Sequence, residues 1–185
     1  MTTTDRRTAV RLCLICTAFV VYGCTIPFSF DGRPAALAER LRAVSFNPLV
    51  SPDTGERPSL PDFAQNLLLF VPFGACGLAA ADPRRRRTSR LVAVTLPGAA
   101  LSTLMEAGQL LTSDRVTSAT DVVANTMGTL AGALALDYGQ WRFGARFDRR
   151  AAGGTTGLAS PRLLAAAALL LASAWQPFDP TLEVG

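Results

Sequence analysis

Glu106, Gln109, Arg115, Asp121 and Asn125 lie close together around a short polar turn, Leu111-Thr-Ser-Asp-Arg-Val-Thr117. Carboxyl groups can exchange protons or hold a cationic group, amides offer donors and acceptors together, and arginine grips carboxylate or phosphate. On both sides of the turn the chain is apolar over the length of a helix. Ionisable groups inside such stretches are costly, so each is a candidate for function.

Spacing organises these residues further. Ser102, Glu106 and Gln109 follow i, i+4, i+7, while Asp121, Asn125, Gly128 and Gly132 follow 0, 4, 7, 11. At roughly 100° per residue each set is one helical stripe, and the short turn makes the two helices antiparallel neighbours. The stripes are expected to face each other. Gly128-x-x-x-Gly132 permits close backbone approach, so the pair should pack tightly at depth and open into a polar cavity at the turn. Glu106 and Asp121 would then sit about 7–8 Å below the membrane boundary, with Asn66 of an earlier helix at similar depth. The expected charge pattern pairs one carboxylate with Arg115 and leaves the other protonated, or sharing a proton through Gln109 or Asn125. Asp114, in the turn itself, is expected to be solvated. Plain interhelical bonding, at about 1 kcal/mol per contact, would account for Asn66 or Ser102 alone. It accounts poorly for Glu106, Asp121 and Arg115 together.

The elements that must position these groups are legible in the clustering of apolar residues. The overall hydrophobic content, 49%, is ordinary for a soluble protein. Stretches near 9–28, 63–81, 91–111, 116–136 and 159–176, however, each match the length that crosses a hydrocarbon core and lack a continuous polar face. The expected fold is all-α: residues 1–185 form a single polytopic membrane helix bundle with about five transmembrane helices. All 18 basic residues are arginine. With the N-terminus inside, 13 of them flank the cytoplasmic ends, including Arg84–Arg87 and Arg90, which predicts an N-in/C-out topology in the plasma membrane. The net charge of +4 then reflects contact with anionic inner-leaflet lipid, and nucleic acid is not called for.

Residues 29–62 form the external loop. Within it, Pro34 to Val44 places Leu37, Leu41 and Val44 on one face, a short external amphipathic helix that would lie on the leaflet or cap the bundle. Pro72 and Pro97 fall inside apolar stretches and should each free a backbone carbonyl. Residues 137–158, with Trp141 and Phe143 among arginines, read as a cytoplasmic connection with interfacial character. The first stretch, led by Arg6 and Arg7, reads as an uncleaved signal-anchor. Cys13, Cys16, Cys24 and Cys76 read as free thiols packed as small apolar groups, because Cys13-x-x-Cys16 lacks a second ligand pair. No metal site or cofactor is expected, and the chain has no histidine.

The combination Glu106-x-x-Gln109, Arg115, Asp121-Val-Val-Ala-Asn125-Thr-x-Gly128 resembles the signature of VanZ-like integral membrane proteins. Asn66-Leu-Leu-Leu-Phe-Val-Pro-Phe-Gly74 is similar to that family's asparagine-to-proline-glycine segment, and Ser45-Phe-Asn-Pro-Leu49 to its external element. The likeness covers about residues 19–136. It implies a bacterial cell-envelope protein, since the family's namesake is associated with low-level resistance to teicoplanin, a lipid-tailed glycopeptide. It marks Asn66, Glu106, Gln109, Arg115, Asp121, Asn125 and Gly128 as signature positions, with no catalytic roles assigned to them. Three functions fit these residues. One is an outward-facing intramembrane site for an amphipathic or lipid-linked molecule, or a lipoglycopeptide, beside membrane lipids. Another is a membrane enzyme on a lipid headgroup with Glu106 or Asp121 as acid/base. The third is a proton-coupled transporter component, for which a homodimer would supply the symmetry.

Overall fold

The computed structural model describes residues 3–25, 30–44, 47, 59–112 and 117–151. They form five helices: α1 (Thr3–Thr25), α2 (Pro34–Ala43), α3 (Leu60–Ala80), α4 (Arg87–Gln109) and α5 (Ala119–Ala151). Among the described residues there is no strand; Phe30 and Thr112 form an isolated antiparallel bridge. The stretch at 159–176 lies outside the described residues, as do Arg115 and the Ser45-Phe46 and Pro48-Leu49 parts of the external element. Two helices, α3 and α4, are long and apolar enough to cross a membrane.

Helix ends follow local chemistry more than apolarity. Proline in the first turn opens both α2 and α3. Pro72 and Pro97 sit inside α3 and α4, and both helices run through them. The apolar run that predicts a helix over 116–136 understates α5, which continues unbroken through Ala151. Apolarity marks where a helix can meet lipid, whereas the helix persists until a breaker, and no proline occurs between Ala119 and Ala151. The expected connection at 137–158 is therefore helical through Ala151.

Packing is closest between α3 and α5, with α4 and α1 laid against that pair. Small residues make this possible. A Cβ at Gly128 would collide with the Leu67 carbonyl, one at Gly132 with the Val71 carbonyl, and one at Gly74 with the Thr129 carbonyl. The Gly128/Gly132 pair thus serves the α3 interface, where the two-stripe expectation assigns it to α4. The reason is angular. Taking Asp121 as zero, Gly128 and Gly132 lie within about 20° of it, whereas Asn125 is turned by about 40° and Thr129 by about 80°. The first group meets α3 and the second meets α4, where a Cβ at Gly98 would strike the Thr129 side chain. Further along, Leu78, Val94 and Ala133 form a small apolar core from all three helices. Helix α1 joins the bundle mainly through α3. Cys13, Cys16 and Cys76 are free thiols.

Candidate functional site

The α4–α5 turn is built by the polar residues themselves. Ser118 precedes the first turn of α5, and its Oγ accepts the Thr120 N–H (3.1 Å), the action of an N-cap. The Ser118 N–H in turn donates to Glu106 Oε2 (2.9 Å), and the Thr117 hydroxyl donates to the Glu106 carbonyl (3.1 Å). Glu106 therefore reaches from the last turn of α4 to the start of α5, a favourable place for a carboxylate beside helix N–H groups. On the other side of the turn, the Gln109 carbonyl accepts both the N–H (2.9 Å) and the hydroxyl (2.8 Å) of Thr112. These bonds close the end of α4 where its carbonyls would otherwise lack partners.

Deeper along the bundle the amides connect the helices. Asn125 Nδ2 donates to Ser102 Oγ (2.9 Å), linking α5 to α4, and Asn66 Nδ2 donates to Asp121 Oδ1 (2.7 Å), linking α3 to α5. The Thr129 hydroxyl donates to the Asn125 carbonyl (3.0 Å). Ser102, Glu106, Gln109, Ser118, Asn125 and Thr129 are all buried, and Asn66 and Asp121 are half-buried. One atom in this group has no partner: Asn125 Oδ1 is enclosed and accepts no hydrogen bond. Turning the amide over would not cure this, because Ser102 meets only one of its two polar ends. A buried acceptor in that condition costs about 1–3 kcal/mol, which a donor brought to it would recover.

The structure thus brings together three hydrogen-bonded pairs, Asn66 with Asp121, Asn125 with Ser102 and Glu106 with Ser118, and it also buries Gln109. The two facing stripes hold for Ser102 with Asn125. Asp121 instead turns to α3. Ser118 is a member that spacing of the apolar run does not reveal, although Ser118-Ala-Thr-Asp121 has the form of a helix-opening serine followed three residues later by an acid.

A second set of contacts covers the turn. The Asp31 N–H donates to the Leu111 carbonyl (2.7 Å), and the Arg40 guanidinium donates to the Asp31 carbonyl (2.9 Å) and the Leu110 carbonyl (3.1 Å). Helix α2 has no buried residue, and Arg40 is its anchor on the end of α4, a favourable position for a cation. These contacts tie α2 to the end of α4 through the Arg40 side chain. Asp31 also pairs with Arg33 (2.8 Å), whose hydrogen bonds hold the Asp31 carboxyl well below the usual carboxylate range. Among the described residues no group of three or more potential metal ligands is assembled.

A family model described as VanZ/LLP1 matches residues 12–138. The chain belongs to the VanZ/LLP1 family. The matched region runs from α1 into α5 just past the level of Asp137, so it contains every member of the polar group and the strap that covers it. No curated protein and no solved structure matches the chain. Family membership and the two long apolar helices together point to a membrane protein.

Proposed function

We propose that this VanZ/LLP1 protein is a multi-pass protein of a bacterial plasma membrane. In this reading it has five spans in an N-in/C-out arrangement, and the polar group at the α4–α5 turn faces outward. There it holds the polar head of an amphipathic or lipid-linked envelope molecule. One observation carries the reading. Polar side chains of three helices converge at one end of the bundle, and Asn125 Oδ1 is enclosed there without a donor. A group with N–H or O–H donors meets that acceptor, while Arg115, three residues before Ser118 in the chain, is assigned an anionic group of the same molecule. Glu106 and Asp121 each accept a structural hydrogen bond, from the Ser118 N–H and from Asn66 Nδ2, which favours binding over proton transfer.

The test compares a susceptible bacterium with and without the protein, exposed to a lipid-tailed glycopeptide of the teicoplanin type and to a glycopeptide lacking the tail. Tolerance is expected to rise for the tailed drug alone and to vanish in Asn125→Leu at equal protein level. Equal susceptibility in all strains would defeat the glycopeptide link. Loss of the phenotype in Glu106→Gln and Asp121→Asn, with Asn125→Leu active, would instead favour acid/base chemistry on a headgroup or proton-coupled transport.

A further inference from the structure

At the opposite end of the bundle, two contacts bring three helix ends and the middle of α5 to one level. Arg6 Nε donates to the Ala80 carbonyl (3.1 Å), joining the start of α1 to the end of α3. Arg87 Nε lies 2.6 Å from Asp137 Oδ2, joining the start of α4 to α5. Between them Arg84, Arg85 and Arg86 stand exposed in the α3–α4 turn. The acids with described side chains at this level, Asp82 and Asp137, are already engaged, Asp82 by the Arg84 N–H (2.9 Å) and Asp137 by Arg87. Helix α4 starts from Arg86 without a side-chain cap, so its first N–H groups add to the positive potential. Arg90 Nε, one turn in, is buried and has no partner.

Apolar and aromatic surfaces adjoin this charge. Val92 and Leu96, just beyond Arg90 on α4, are 48% and 64% exposed. On α5, one turn past Asp137, Tyr138 and Trp141 pair with ring centroids 5.8 Å apart, and Trp141 is 78% exposed. A nucleic acid would use the arginines and leave the apolar face of α4 without purpose. An amphiphile with an anionic head uses both, and exposed indole and phenol rings suit the headgroup layer beside it.

We propose that this arginine collar is a binding surface for acidic phospholipid, whose phosphate lies on Arg84–Arg86 and Arg90 with an acyl chain along Val92 and Leu96. The proposal rests on the membrane placement proposed above and is independent of the polar group at the other end. The guanidinium groups donate to phosphate oxygens, so selectivity follows charge and weakens as salt rises.

Trp141 reports on the collar once Trp175→Phe removes the other indole. The full chain is reconstituted in phosphatidylcholine vesicles, and its emission is followed as phosphatidylglycerol brominated near the top of the acyl chains replaces host lipid. Brominated phosphatidylcholine serves as control. Quenching by the acidic lipid is expected at lower mole fraction, with a selectivity of about fivefold or more at low salt. The variant Arg84→Gln, Arg85→Gln, Arg86→Gln, which removes none of the packing contacts, should bring the two lipids level. Equal quenching of the unmodified collar by both lipids, or full selectivity in the triple variant, would overturn the proposal. Alkaline carbonate extraction separates the two readings. Release of the protein from the vesicles defeats the membrane placement, whereas an integral protein without lipid selectivity defeats the collar alone.

Discussion

The two ends of the α3–α4–α5 bundle handle polar groups in opposite ways. At the α4–α5 turn, Glu106, Asp121, Asn66 and Asn125 are drawn inward and joined by short bonds across three helices. At the arginine end the charges point outward, and the Arg87–Asp137 pair keeps the arginine side chain 67% exposed. Enclosed groups must satisfy each other, so their identity and angle are strongly constrained. Exposed charges are satisfied by whatever surrounds them, and their number matters more than their pairing. The first end is suited to recognising one chemical group, the second to reading the sign of a surface.

That contrast can be broken most forcefully through the backbone that supports the buried group. Gly128→Val puts a branched side chain against the Leu67 carbonyl, and helix separation should cost about 1–3 kcal/mol or more. Thermal unfolding in detergent should show a large fall, and unchanged stability would mean that α3 and α5 are not in this close contact. Next in size, Asn66→Leu strips Asp121 of its amide donor at a loss of about 1–3 kcal/mol. In a double-mutant cycle with Asp121→Leu the two losses should be strongly non-additive, and additive losses would show the pair to be uncoupled.

Glu106 sharpens the comparison at smaller scale. Glu106→Gln retains an acceptor for the Ser118 N–H and should cost less than about 1 kcal/mol, while Glu106→Ala removes it and loosens the start of α5. Hydrogen exchange at Ser118 would register the difference, and equal protection in both variants would rule out the proposed bond. The smallest effect belongs to the arginine end. Breaking the exposed Arg87–Asp137 pair with Arg87→Gln should change stability by roughly 0.2–1 kcal/mol, less in high salt.

The strap over the turn adds a pH dependence of known sign. Arg33 holds the Asp31 carboxyl below its ordinary value, so the stabilising contribution is present above the unfolded value, about 3.9, and is lost as pH falls through the folded one. Limited proteolysis of residues 30–44 should therefore be constant from pH 5 to 8 by this linkage and increase only below about pH 4. An increase already at pH 6 would assign the strap's hold to another group.

Much of this was open to a reader of the chain alone. The 0, 4, 7, 11 spacing made Asp121, Asn125, Gly128 and Gly132 one stripe because helical geometry leaves no other arrangement, and the motif around them carried the family. Pro34 announced the start of α2, and apolar clustering located α3 and α4 to within a few residues. Periodicity cannot say which neighbour a stripe meets, since a span of some 60° faces two helices at once in a three-helix bundle. Only packing divided it, sending Asp121 and the glycines to α3 and Asn125 to Ser102 on α4. Nor could local sequence couple Arg40 to the Leu110 carbonyl or Arg6 to Ala80, contacts made between residues more than 60 apart in the chain. Composition and spacing determined that polar groups would gather at the α4–α5 turn. Which hydrogen bonds they make, and that Asn125 Oδ1 is left without one, was decided by the three-dimensional fit of α3 between its neighbours.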